Sequence, residues 1–105
     1  MQMTGYTYIW EFQVKPNHQA EFERQYGPEG AWVKLFRQAS GFVESLLLQD
    51  RSNPLRYVTI DRWKSVESYN AFRSQFSKHY DAIDKTCQAL TTKESKLGEF
   101  NAKVA

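Results

Sequence analysis

The sequence predicts an α+β domain with the ferredoxin-like order β-α-β-β-α-β, one antiparallel sheet carrying helices on one face. Three observations lead there. Residues 6–14, YTYIWEFQV, alternate with period two. Residues 42–49 and 56–63 read as two further strands joined by a turn at Asn53-Pro54. After the first and the third strand a segment with helical periodicity follows, and right-handed crossovers put both on the same side of the sheet.

In the first strand Tyr6, Tyr8, Trp10, Phe12 and Val14 point one way, and Thr7, Ile9, Glu11 and Gln13 the other. Lys15-Pro16-Asn17 ends it, with Asn17 as the expected helix N-cap. A helix through Phe22 and Tyr26 is interrupted by GPEG at 27–30, because two glycines and a proline penalise continuation. It resumes with Trp32, Leu35, Phe36 and Ala39 at i, i+3, i+4, i+7. Ser65 caps the next helix, whose apolar positions Tyr69, Phe72, Phe76, Tyr80, Ile83, Cys87 and Leu90 predict one long amphipathic segment. A last strand is expected within residues 91–102, and the 105 residues form one domain.

Phe42, Leu46 and Leu48 are expected on one face of the second strand, with Val43 and Leu47 on the other; Tyr57 and Trp63 oppose Val58 and Ile60 in the third. A sheet wet on one side shows clean alternation, whereas here both faces carry large apolar groups. Burying each further Leu or Phe contributes roughly 1.5–3 kcal/mol. The pattern therefore predicts a homodimer, with two sheets packed face to face as a dimeric α/β barrel; cover by the chain's own side chains is the alternative.

Several function classes are excluded. The 14 basic and 12 acidic side chains are scattered, with no basic run to hold nucleic acid. The longest apolar run is Leu46–Leu48, so no segment is expected to span a membrane. Two histidines and one cysteine offer no zinc spacing. A single cysteine and no signal-like N-terminus predict a cytoplasmic protein.

Three stretches, WEFQVKPNHQAEFE, GPEGAWVKLFRQASGF and YVTIDRWKSVESYNAF, carry a resemblance to the antibiotic biosynthesis monooxygenase family of the dimeric α/β-barrel superfamily. It covers residues 6 to about 100, and the acidic-x-Trp strand end Asp61-Arg62-Trp63 is its most specific part. The resemblance implies a pocket between helices and sheet. Some members oxidise aromatic polyketides or quinols with O₂ and neither metal nor flavin, some degrade haem, and some have no known activity. Phe72 stands where many members carry a histidine, nine positions after the strand-end Trp, while His79-Tyr80 matches a recurrent polar–aromatic pair. The Asn that the haem-degrading branch uses on its first strand is missing from YTYIWEFQV.

The expected function is a cofactor-independent monooxygenase acting on a small aromatic or quinol-type molecule. A non-catalytic dimeric ligand-binding module is the alternative, and haem binding through His79 a weaker one. His79, at the edge of the helical stripe and directed towards the helix–sheet space, is a candidate base. So is Asp61, whose carboxyl shares a strand face with Trp63 and is raised in pKa unless it pairs with Arg37 or Arg73. Tyr69 is the candidate to orient the substrate oxygen, or else one more residue of the stripe. Trp63, Phe72, Trp32, Phe36 and Tyr80 either wall a substrate pocket or pack the core.

Overall fold

In a computed structural model, which describes residues 4–103, the elements are β1 (Thr4–Val14), α1 (Gln19–Tyr26), α2 (Ala31–Phe36), β2 (Phe42–Gln49), β3 (Arg56–Trp63), α3 (Val66–Gln75), α4 (Ser77–Cys87) and β4 (Thr91–Lys103). The sheet order is β2-β3-β1-β4, and the β1–β3, β1–β4 and β2–β3 pairings are all antiparallel. The α1–α2 connection thus steps over β3, and the α3–α4 connection steps over β1. Two right-handed crossovers of this kind leave the helices on one face, as the element order predicts. The sheet does not close on itself.

Alternation decides what reaches the helices. Tyr6, Tyr8, Phe12 and Val14 of β1, and Tyr57, Thr59, Asp61 and Trp63 of β3, are all buried. The helices bring Phe22, Trp32, Phe36 and Phe72 against them. Adjacent rings meet tilted or edge-on at 4.9–5.6 Å, as at Trp63–Phe72 and Phe36–Trp63, the geometry that ring quadrupoles favour.

Three local expectations are corrected. In β2 the pairing shifts between Phe42 and Glu44, so that Phe42 opposes Trp63, Ser45 opposes Asp61 and Leu47 opposes Thr59. One extra residue in a strand inverts the phase of everything beyond it. Phe42 therefore shares the helix face with Ser45 and Leu47, while Leu46 and Leu48 stand on the open face, 44% and 47% exposed. Asn17 is not a cap: it takes a left-handed φ of 70°, which Asn tolerates, and His18 occupies the N-cap position without a side-chain bond. The long amphipathic segment is two helices, broken at Phe76 where φ is −112° and ψ 24°. A short 3-10 turn, Gln88–Leu90, leads into β4.

The corner after β3 forms as expected. Ser65 is extended, and its hydroxyl accepts a hydrogen bond from the Ser68 amide at 3.1 Å. Gly41 packs beneath this turn with φ 105°, where a Cβ would lie 2.6 Å from the Ser68 Cβ; only glycine suits both demands. Ser65→Ala is expected to remove about 1 kcal/mol of unfolding free energy through loss of the cap, measured by urea denaturation. An unchanged midpoint would show that α3 is held by packing alone.

Candidate active site

The register of the sheet builds the site. Tyr8 of β1, Asp61 of β3 and Ser45 of β2 are direct cross-strand neighbours, so three polar side chains lie in one row on the helix face. Above them is a cavity of about 200 Å³. The row below brings Trp10 and Thr59 to its wall, and the helices contribute Tyr26, Trp32, Phe36 and Tyr80. Trp32 and Tyr80 meet edge-on at 4.9 Å.

Asp61 is the chemical centre of this arrangement. It is 7% exposed and lines the cavity. The Ser45 hydroxyl donates to its Oδ1 at 2.5 Å. Among the described residues it forms no salt bridge, so neither Arg37 nor Arg73 neutralises it. Burial pushes its carboxyl from 3.8 up to about 6, against the opposing pull of the Ser45 and Tyr8 hydroxyls. Loss of hydration disfavours the charged form, and two neutral donors do not replace a cation. Such a group is largely ionised at neutral pH and titrates close to it, as a general base does.

The other sequence candidates divide. Trp32, Phe36 and Tyr80 line the cavity. Trp63 and Phe72 do not: each is 1% exposed and packed into the aromatic core, so the core alternative holds for both. Trp63 still acts on the site indirectly, because its indole Nε1 donates to the Tyr8 hydroxyl at 3.3 Å. Tyr69 is half-buried behind the wall, its ring 5.1 Å from that of Tyr8. Burial raises its pKa, and the Arg73 charge opposes the shift. His79 is exposed on α4, its ring 6.4 Å from that of Phe76, and is not on the cavity wall. The expectation that it faces the helix–sheet space is thus corrected. The break at Phe76 restarts the helix, and a residue already at the edge of the stripe turns outward.

Sequence reasoning passed over Tyr8, Trp10, Phe12 and Tyr26 as core, and over Ser45, Asp84 and Glu94 altogether. The one available signal was the choice of Tyr and Trp at inward positions of β1 where Leu or Val packs equally well. Ser45 carried no signal, since the β2 bulge alone turns it inward. Among the described residues no three His, Cys, Asp or Glu side chains converge as a metal site requires. No helix among them is long and apolar enough to cross a membrane.

The family model described as Antibiotic biosynthesis monooxygenase matches residues 5–85. Among solved structures, the chain is similar to SnoaB, a cofactor-independent oxygenase from Streptomyces nogalater, at 26% identity and a TM-score of 0.69, covering 96% of this chain and 95% of that one. PA3566 from Pseudomonas aeruginosa matches at 20% identity and TM-score 0.70 over 97% and 95% of the two chains. Rv0793 from Mycobacterium tuberculosis matches at 17% and 0.67 over 96% and 93%. At those last two identities the likeness is one of fold. No curated protein matches the chain.

Proposed function

Since the chain belongs to the antibiotic biosynthesis monooxygenase family, we propose that it is a cofactor-independent monooxygenase of small phenols or hydroquinones, with Asp61 as the base. The observation that carries this reading is a buried carboxylate without a cationic partner on the wall of an aromatic cavity. The similarity to SnoaB, itself described as a cofactor-independent oxygenase, supports the same chemistry.

The Asp61 carboxylate takes the phenolic proton. The phenolate gives one electron to O₂, and the resulting superoxide joins the para ring carbon of the phenoxyl radical. The peroxide so formed takes the proton back from Asp61. Loss of the ring C–H proton to the carboxylate then cleaves the O–O bond and expels hydroxide, which that proton converts to water. Phenol plus O₂ becomes quinone plus water, with every atom and electron accounted for. The Tyr8 hydroxyl stands beside the base, so charge develops next to a prearranged donor.

The test is oxygen consumption by the purified protein with a panel of one- and two-ring phenols and hydroquinones. Uptake matched to quinone formation supports the proposal. Ligand binding without uptake across the panel supports instead the non-catalytic module, a reading favoured by Phe72, which fills the position of the common family histidine with a buried ring. Haem ligation through His79 has little to recommend it, because that ring lies outside the cavity.

A homodimer belongs to the same proposal. The open sheet face carries Leu46, Leu48 and Phe100, each 44–49% exposed, an apolar patch of the kind that marks an interface. Leu46→Glu with Leu48→Glu is expected to halve the solution mass measured by sedimentation equilibrium. A wild-type protein that sediments at the mass of one chain would refute the dimer.

A further inference from the structure

The buried carboxylate is held from both neighbouring strands. Asp61 of β3 pairs with Tyr8 of β1 on one side and with Ser45 of β2 on the other. Ser45 donates to Oδ1 at 2.5 Å. The Tyr8 hydroxyl is the second donor, and both pull the carboxyl pKa down against burial. Behind Tyr8 stands Trp63. Its partner across the β1–β3 pairing is Tyr6, one row along the same face, so the indole reaches Tyr8 on the diagonal. Its Nε1 lies 3.3 Å from the Tyr8 oxygen.

Chemistry fixes the direction of this chain. An indole nitrogen only donates, so the Tyr8 oxygen accepts from Trp63 and keeps its own proton for another acceptor. Burial, and then the Asp61 charge, holds the Tyr8 pKa well above its usual 10, so that proton is present wherever Asp61 titrates. The ring is confined as well. Tyr8 is buried, with the Tyr69 ring at 5.1 Å, the Tyr6 ring at 5.7 Å and the Lys96 ammonium 5.7 Å over its face. Of the other titratable groups on the elements around Asp61, Tyr26 of α1, Tyr69 of α3 and Tyr80 of α4 are raised by burial and stay neutral. Arg73 lies on the Tyr80 ring, 3.6 Å from its centroid. Asp84 of α4 and Glu94 of β4 line the same cavity, where α2 presents Trp32 and Phe36. The two hydroxyls are the groups that lower the Asp61 pKa.

We propose that Tyr8 is the positioning residue of this site: Trp63 turns the Tyr8 hydroxyl so that its proton serves Asp61, and Tyr8 with Ser45 holds the carboxylate in one orientation at the cavity wall. This rests on the reading of Asp61 as the base and names the residues that tune it. The strand-end Trp63 does not line the cavity; it acts on the base through Tyr8. Each hydrogen bond in a buried chain polarises the next, so the indole strengthens the donor that the carboxylate meets. Without that donor, burial has less to oppose it and less of the base is ionised near neutral pH.

The test is the titration midpoint of Asp61, followed by carbon-13 NMR of the side-chain carboxyls with Asp61→Asn to assign the signal. It needs no turnover, and the pH–rate profile of oxygen uptake runs beside it. Tyr8→Phe keeps the ring and its packing and removes the hydroxyl. Its midpoint is expected to rise from about 6 to about 7, the loss of one hydrogen bond to a charged group. Uptake should then fall about fivefold at pH 6 and less than about twofold at pH 8, because only at the lower pH is the base newly protonated. Trp63→Phe is expected to make Asp61 about threefold weaker as an acid, and to add nothing in the double variant with Tyr8→Phe. Should Trp63→Phe fail to fold, benzothienylalanine in place of Trp63 keeps the bicyclic shape and lacks the N–H. An unmoved midpoint in Tyr8→Phe, or a Trp63 effect of equal size with and without the Tyr8 hydroxyl, would overturn the proposal. Shifted midpoints in a protein that consumes no oxygen would sink the oxygenase reading alone. Uptake that persists in Tyr8→Phe with an unmoved midpoint would sink the positioning role alone.

Discussion

Asp61→Asn is expected to lower oxygen uptake at least about 100-fold, the usual cost of losing a positioned general base, and at the same time to make the protein more stable at pH 7. The second effect follows from the main cause of its shifted pKa. Burial holds the carboxyl at about 6 in the folded protein, against an ordinary 3.8. Between those values the folded state binds more protons than the unfolded one, so stability falls as pH rises through the window. Below about pH 4 the group is neutral in both states and costs nothing on this count; above about pH 6 the full cost of a buried charge is present, roughly 3 kcal/mol. An asparagine can still accept the Ser45 hydrogen bond and carries no charge. Urea unfolding should therefore show a gain of roughly 1–3 kcal/mol at pH 7 and little gain at pH 4. The wild-type rate should rise through about pH 6 as Asp61 ionises. His79→Ala, a change on the exposed side of α4, is expected to leave the rate within about twofold. Should His79→Ala abolish uptake while Asp61→Asn spares it, the assignment of the base is wrong.

Trp63→Ala is expected to be the most destabilising single change, at about 3–5 kcal/mol. The side chain is 1% exposed and meets Phe36, Phe42, Tyr69 and Phe72, so truncation opens a hole that four rings from β2, α3 and the α2 end cannot close together. Thermal unfolding should move down by roughly 15 °C or more. Trp63→Phe separates packing from polarity. It keeps much of the ring contact but removes the Nε1 donor to Tyr8, so it should weaken ligand binding more than its smaller loss of stability suggests. A Trp63→Ala protein that melts within a few degrees of wild type would mean that Trp63 is not the keystone of the core.

Much of this was legible from local pattern. Alternation located residues 42–49 and 56–63 as strands, and both run over those residues. Asp61 was legible as a candidate because period two puts it on the face of Trp63, and it is there. The cavity wall was less legible. Inward aromatics have the same periodicity whether they fill a core or leave a space, so Trp63 and Phe72 could not be told from Trp32 and Phe36 by spacing. His79 was placed by extending one helical phase across Phe76, where the helix breaks. Ser45 was invisible because its direction depends on a bulge set by the partner strand.

Periods of two and 3.6, with turn and cap residues between them, were enough to specify the order of elements, because side-chain direction along a strand or helix is a local property of the backbone. The cavity, the register that aligns Tyr8, Asp61 and Ser45, and the lack of an arginine partner that leaves the Asp61 pKa raised belong to the tertiary structure. Each depends on distances between groups far apart in the chain, and on the loss of water where those groups meet, neither of which any local stretch of residues encodes.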